Sequence, residues 1–144
     1  MGQTTEIIQE GPVYKSEQDV FNRFWQYFIV EQHPQAVIDT DGFPHCVYRT
    51  PDGNGCGIGC LVDDKTAEKW DRESPNVSYV GIARKFPEDH KKYFSDSIKI
   101  EFLQALQSLH DREDRNWYNE DIFRQDVAED FARQHNLMVP ERKE

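Results

Sequence analysis

Apolar residues recur at helical spacing in three stretches of this chain. Val20, Phe21, Phe24, Trp25, Phe28 and Ile29 form one stripe, broadened by Tyr27. Ser16-Glu17-Gln18-Asp19 precedes it as a capping box with Asp in place of Glu. His33-Pro34 closes it, so the pattern predicts a helix from Ser16 to about Gln32. A second stripe, Ile98, Phe102, Leu103, Leu106 and Leu109, predicts helix from Ser95 through Leu109, with Phe94 extending its apolar face. Pro87-Glu88-Asp89 is a helix start upstream of it. The third helix is predicted to be capped by Asn116, to carry Trp117, Ile122, Phe123, Val127 and Phe131 inward, and to end near Asn136-Leu137.

Shorter elements lie between these. Gln35 to Thr40 is predicted as a further helical turn, and Asp63-Asp64-Lys65-Thr66 as the start of a short helix to Trp70. Asp71 to Asn76 reads as a polar loop, and Val77 to Ala83 as a third strand. His45 to Val62, which holds all three cysteines, reads as a β-hairpin. Pro51-Asp-Gly-Asn-Gly55 is its turn, and Cys46, Tyr48, Cys56, Ile58 and Cys60 would share one face. Gly57 and Gly59 would leave bare backbone on the other face. The expected fold is therefore α+β: three main helices around a small antiparallel hairpin, with an optional third strand. The expected domains are a flexible arm over residues 1–15, one globular unit over 16–137, and a loose tail over 138–144.

Cys46-Val47-Tyr48-Arg49, a glycine-rich turn, and Gly59-Cys60-Leu61-Val62-Asp63-Asp64 together resemble a C-x-Y-R … G-x-x-C-x-x-G-C-L-I-x-D pattern. That pattern is found in a family of small uncharacterised proteins of bacteria and their phages. Leu103 to Asp111 (LQALQSLHD) and the Trp-bearing helix from Trp117 resemble that family's second half. The likeness runs over roughly residues 17 to 137, with extra residues inserted around 71 to 97. The resemblance implies an intracellular protein, phage-encoded in its concrete version, and brings no activity with it.

The candidate chemistry is sparse. Cys56-x3-Cys60 with Cys46 and His45 is the only set with zinc-like spacing. His45 and Cys46 are adjacent on a strand and point to opposite faces, so buried reduced thiols are the expectation and zinc the alternative; no cofactor is expected. The alternating glycines fit neither a dinucleotide fingerprint nor a phosphate loop. Tyr48 and Arg49 could hold a small anion, although a cross-strand contact and a surface ion pair account for them more simply. His110 and Asp111 could serve a thiolate at Cys56 or Cys60, but neighbours on a helix do not face each other. His110 is then explained by the carbonyls at the helix end.

A formal net charge of −10 argues against direct nucleic-acid binding and suits docking on a basic protein surface. No apolar run approaches the length of a membrane span, and the polar N-terminus lacks signal-peptide regions, so the cytoplasm is expected. The leading functional expectation is a non-enzymatic acidic interaction module, modulating a host nucleic-acid-binding protein if phage-encoded. A small metal- or ligand-binding protein built on Cys46, Cys56 and Cys60 is the alternative, and a thiol-dependent enzyme the second.

Overall fold

Ser16 caps the first helix as its sequence dictates, accepting from the Asp19 N–H at 3.1 Å, while Asp19 Oδ2 reaches back to the Lys15 N–H. The computed structural model describes residues 12–40, 43–74, 78–111 and 123–140, with 37–40 and 43–46 described in their backbone alone. Helix α1, Glu17–Trp25, runs into one wide π-helical turn, Gln26–Val30. The wider turn lets consecutive Tyr27 and Phe28 both enter the core beside Phe24 and Trp25.

Five more helices follow: α2 Asp64–Glu73, α3 Tyr79–Lys85, α4 Pro87–Tyr93, α5 Ile100–Asp111 and α6 Gln125–Gln134. Helix α3 packs on α4 and α5, and α1 packs on the turn around Cys60. Aromatic rings join the layers. Phe21 stacks on Phe131 of α6, Phe24 meets Phe123 edge-on, and Trp70 of α2 touches both Tyr48 and Tyr79. Helix α6 ends on Asn136 at φ +58°, with the Leu137 N–H returning to the Ala132 carbonyl.

The α+β expectation is overturned: the described chain is a helical assembly, and the predicted hairpin does not form. The first half of the prediction survives only as a turn. Thr50 N–H bonds Asn54 O, Gly53 N–H bonds Thr50 O, and Arg49 bridges Gly55 antiparallel. Beyond Gly55 the chain coils instead of extending. The Cys60 N–H bonds Cys56 O, the Leu61 N–H bonds Ile58 O, and Gly59–Leu61 forms a 3-10 turn. The reason is packing: Gly57 and Gly59 bring this backbone against α5 and against Tyr48, which a flat strand would not reach. The shared strand face for Tyr48, Cys56, Ile58 and Cys60 is lost, although all four are buried.

Three local expectations change with it. Residues 37–40 form an extended segment, β1 (Val37–Thr40), paired antiparallel with β2 (Phe43–Cys46), rather than a helical turn. The predicted third strand is α3, because Tyr79, Ile82 and Ala83 are buried at helical spacing. Asp71 lies inside α2 rather than in a loop. Asn116, Trp117 and Ile122, expected on the last helix, lie outside the described residues, as do residues 1–11 and 141–144. From Pro12 onward the chain is tied down: the Tyr14 N–H bonds Tyr93 O, and the Tyr14 hydroxyl donates to Leu61 O at 3.0 Å.

A methyl group on Gly59 would stand 1.9 Å from the Tyr48 carbonyl oxygen. Gly59→Ala should therefore destabilise the chain by roughly 3 kcal/mol or more. Gly53 has open space but φ +94°, so Gly53→Ala should cost only about 1–2 kcal/mol. Urea midpoints of the two variants check the order; equal losses would contradict this packing.

Candidate functional site

The conformation of the glycine-rich loop is set by Asp71. Its Oδ1 accepts from the Tyr48 N–H and its Oδ2 from the Arg49 N–H, both at 2.9 Å. One carboxylate on α2 thus holds two consecutive backbone donors, an arrangement worth more than neutral bonds because the acceptor is charged. The Cys56 N–H returns to Tyr48 O, closing the loop onto the held segment. Tyr48 itself is buried, and the side chain of Gln107 on α5 bonds its hydroxyl. Burial pushes the Tyr48 hydroxyl far above its ordinary pKa. It is a core residue and not an exposed ligand.

Arg49 makes the surface ion pair expected of it, with Asp64, and also bonds two backbone carbonyls. Its Nη2 donates to Gly59 O at 2.8 Å and to Val62 O at 2.9 Å, and Nη1 meets the exposed Asp64. Arg23, from α1, donates through Nε to the intervening Cys60 O at 3.1 Å. Two guanidinium groups from separate elements therefore cover the carbonyl end of the 3-10 turn. Beside them, the Tyr27 hydroxyl accepts the Gly55 N–H at 2.7 Å. Its ring carries the Arg23 guanidinium 5.1 Å from its centroid and the His33 ring stacked at 3.9 Å.

His110 and Asp111 do meet, against the expectation from helical spacing. Asp111 is the last residue of α5, and its Oδ1 lies 2.7 Å from His110 Nδ1. His110 is fully buried, and its Nε2 accepts the Ala36 N–H at 3.1 Å. This assigns the hydrogen to Nδ1 and leaves both ring nitrogens engaged. The Gln35 side chain also donates to His110 O, so the end of α5 anchors the segment leading into β1. A ring so committed has no nitrogen with which to take a proton from a thiol.

The thiols are placed for packing. Cys56 Sγ accepts the N–H groups of Ile58 and Gly59 at 3.4 and 3.2 Å, acting as a sulfur cap on the 3-10 turn. Cys60 Sγ faces Gly57 O at 3.7 Å. Desolvation pushes the Cys56 thiol well up, with the Asp111 carboxylate adding to it. Desolvation likewise raises Cys60 to about 12, against the pull of Arg23 and Arg49. Among the described residues no three His, Cys, Asp or Glu side chains converge as metal ligands. The side chains of His45 and Cys46, which completed the zinc alternative, lie outside the described residues.

Sequence reasoning missed Asp71, Arg23 and Gln107. Asp71 was hidden by its place in an apparently polar loop. Arg23 sits on the helix rim at the position where an ordinary solvated charge is expected. No protein-family model, no curated protein and no solved structure matches this chain.

Cys56 and Cys60 should stay unmodified by iodoacetamide at pH 8 in the folded chain and react fully in denaturant, read by intact mass. Labelling of either in the native state would show that the loop opens. His110→Ala should cost about 2–4 kcal/mol, from lost packing and an unpaired Ala36 N–H. Urea denaturation measures it, and a neutral result would remove His110 from its anchoring role.

Proposed function

We propose that this protein is a non-enzymatic interaction module that docks an acidic surface on the basic face of a protein partner. The observation that carries the reading is the formal net charge of −10. Such an excess raises encounter rates with a cationic surface and disfavours nucleic acid. Glu68 on α2, Glu88 on α4 and Glu101 on α5 are exposed, so acidic side chains project from three separate helices. In support, the groups that could have acted as nucleophile and base are spent on holding the chain: Cys56 caps a turn and His110 bridges Asp111 to Ala36. No described helix is long and apolar enough to cross a membrane. The cytoplasm is the compartment proposed with this reading, and a nucleic-acid-binding protein is the class of partner whose surface best supplies the opposite charge.

Capture on the immobilised protein, with nuclease present, tests it. One stoichiometric protein partner should bind at low salt and be released by about 0.5 M NaCl, where screening shortens to a few ångströms. The triple variant Glu68→Lys, Glu88→Lys, Glu101→Lys should keep its helical circular dichroism and lose that partner. Retention of the partner by the folded variant would end the electrostatic reading.

A further inference from the structure

Hydrogen-bond donors outnumber acceptors where α1 meets the glycine-rich loop. Arg23 spends Nε on Cys60 O, and none of the described hydrogen bonds uses its two Nη groups. Arg49 spends Nη2 on two carbonyls, while its Nε is buried with no acceptor among the described residues. The Tyr27 hydroxyl accepts the Gly55 N–H, and its own hydrogen bonds nothing in the described structure. These groups are neighbours. Arg23 and Arg49 donate to the adjacent carbonyls of Cys60 and Gly59, and Arg23 lies over the Tyr27 ring. Burial raises the Tyr27 hydroxyl pKa, with the Gly55 N–H and the guanidiniums of Arg49 and Arg23 pulling it down.

The exposed Glu31 carboxylate lies within electrostatic reach of Arg23, but no described hydrogen bond joins them, so the two guanidiniums over adjacent carbonyls keep donors that an incoming anion can use. The carboxylate that now meets Arg49 is Asp64, whose side chain is 74% exposed. A pair so open to water contributes little and is readily displaced. From this geometry we propose that Arg23, Arg49 and Tyr27 form a binding site for a small oxyanion of the phosphate class. The anion replaces Asp64 on Arg49 Nη1 and takes the Nη groups of Arg23, with the Tyr27 hydroxyl as a neutral donor. Guanidinium groups suit such a ligand because their planar donors match paired oxygens. The negative charge of the whole chain opposes entry only weakly, because at physiological ionic strength its distant carboxylates are screened beyond about 8 Å.

Inorganic phosphate is the probe, titrated into the full-length chain by calorimetry at constant ionic strength, with AMP in a parallel titration. Wild type should bind one phosphate saturably. Arg23→Gln, which keeps a donor for Cys60 O, should bind about tenfold more weakly, the loss of one charge-assisted hydrogen bond. Asp64→Asn removes the competing carboxylate from an exposed position and should bind more tightly than wild type. Tighter binding of AMP than of phosphate would identify a nucleotide-borne group, and weaker binding a free anion; both uphold the site. Absence of saturable binding in wild type, or unchanged affinity in both variants, would overturn it. Asp64→Asn keeps the test decisive should Arg23→Gln fail to fold.

Discussion

The approach of two backbones, Gly59 against the Tyr48 carbonyl, is the constraint on which this structure depends. With no side chain between them, the loop folds back tightly enough for Arg49 to reach the carbonyls of Gly59 and Val62. The same closeness lets Cys56 donate its N–H to Tyr48 O. Tyr48 is in turn held from three directions: Asp71 at its backbone, Trp70 at its ring and Gln107 at its hydroxyl. Helices α2 and α5 thus meet through one tyrosine, and the loop is a structural keystone of the helices around it.

Polar groups in this interior do mechanical work. His110 joins the end of α5 to Ala36, Tyr27 joins the π-helical turn after α1 to Gly55, and Gln107 bonds both Tyr48 and the Tyr79 N–H. Each satisfies a backbone donor or a hydroxyl that would otherwise be buried unpaired, at a cost of about 1–3 kcal/mol apiece. Residues that read as chemistry in the sequence are here the ties between elements. The exception is the pair of arginines over Cys60, where donors are left over.

Helices with long apolar stripes were legible because burial on one face enforces their period, around Phe21, Leu106 and Phe131. Helix α5 nevertheless starts at Ile100 rather than Ser95, and Phe123 precedes α6 instead of lying on it. The cap at Ser16 was legible, although Asp19 returns to the Lys15 N–H rather than to the Ser16 N–H of a capping box. The loop was not, because its turn residues specify a reversal of direction and leave the conformation beyond Gly55 open. Cys56 to Leu61 alternates small and apolar residues as a strand does, and only contact with α5 and Tyr48 makes it coil. Val77 to Ala83 misled for the related reason that β-branched and aromatic residues over seven positions suit either state, and packing on α5 decides. Of the candidate site, Arg49 was visible, while Arg23 and Asp71 act through backbone groups that no side-chain pattern reveals.

Asn54-Gly55 is the kind of dipeptide at which proteins age. Deamidation there requires the Gly55 nitrogen to swing onto the Asn54 side-chain carbonyl and close a succinimide. In this fold that nitrogen is buried, bonded to the Tyr27 hydroxyl, and so crowded that a Cβ at Gly55 would lie 2.8 Å from Cys60 N. The Asn54 N–H is also bonded, to Thr50 Oγ1 at 3.0 Å. The attacking geometry is therefore out of reach while the chain stays folded, and a tyrosine just past the first helix sets the chemical lifetime of an amide in a distant loop.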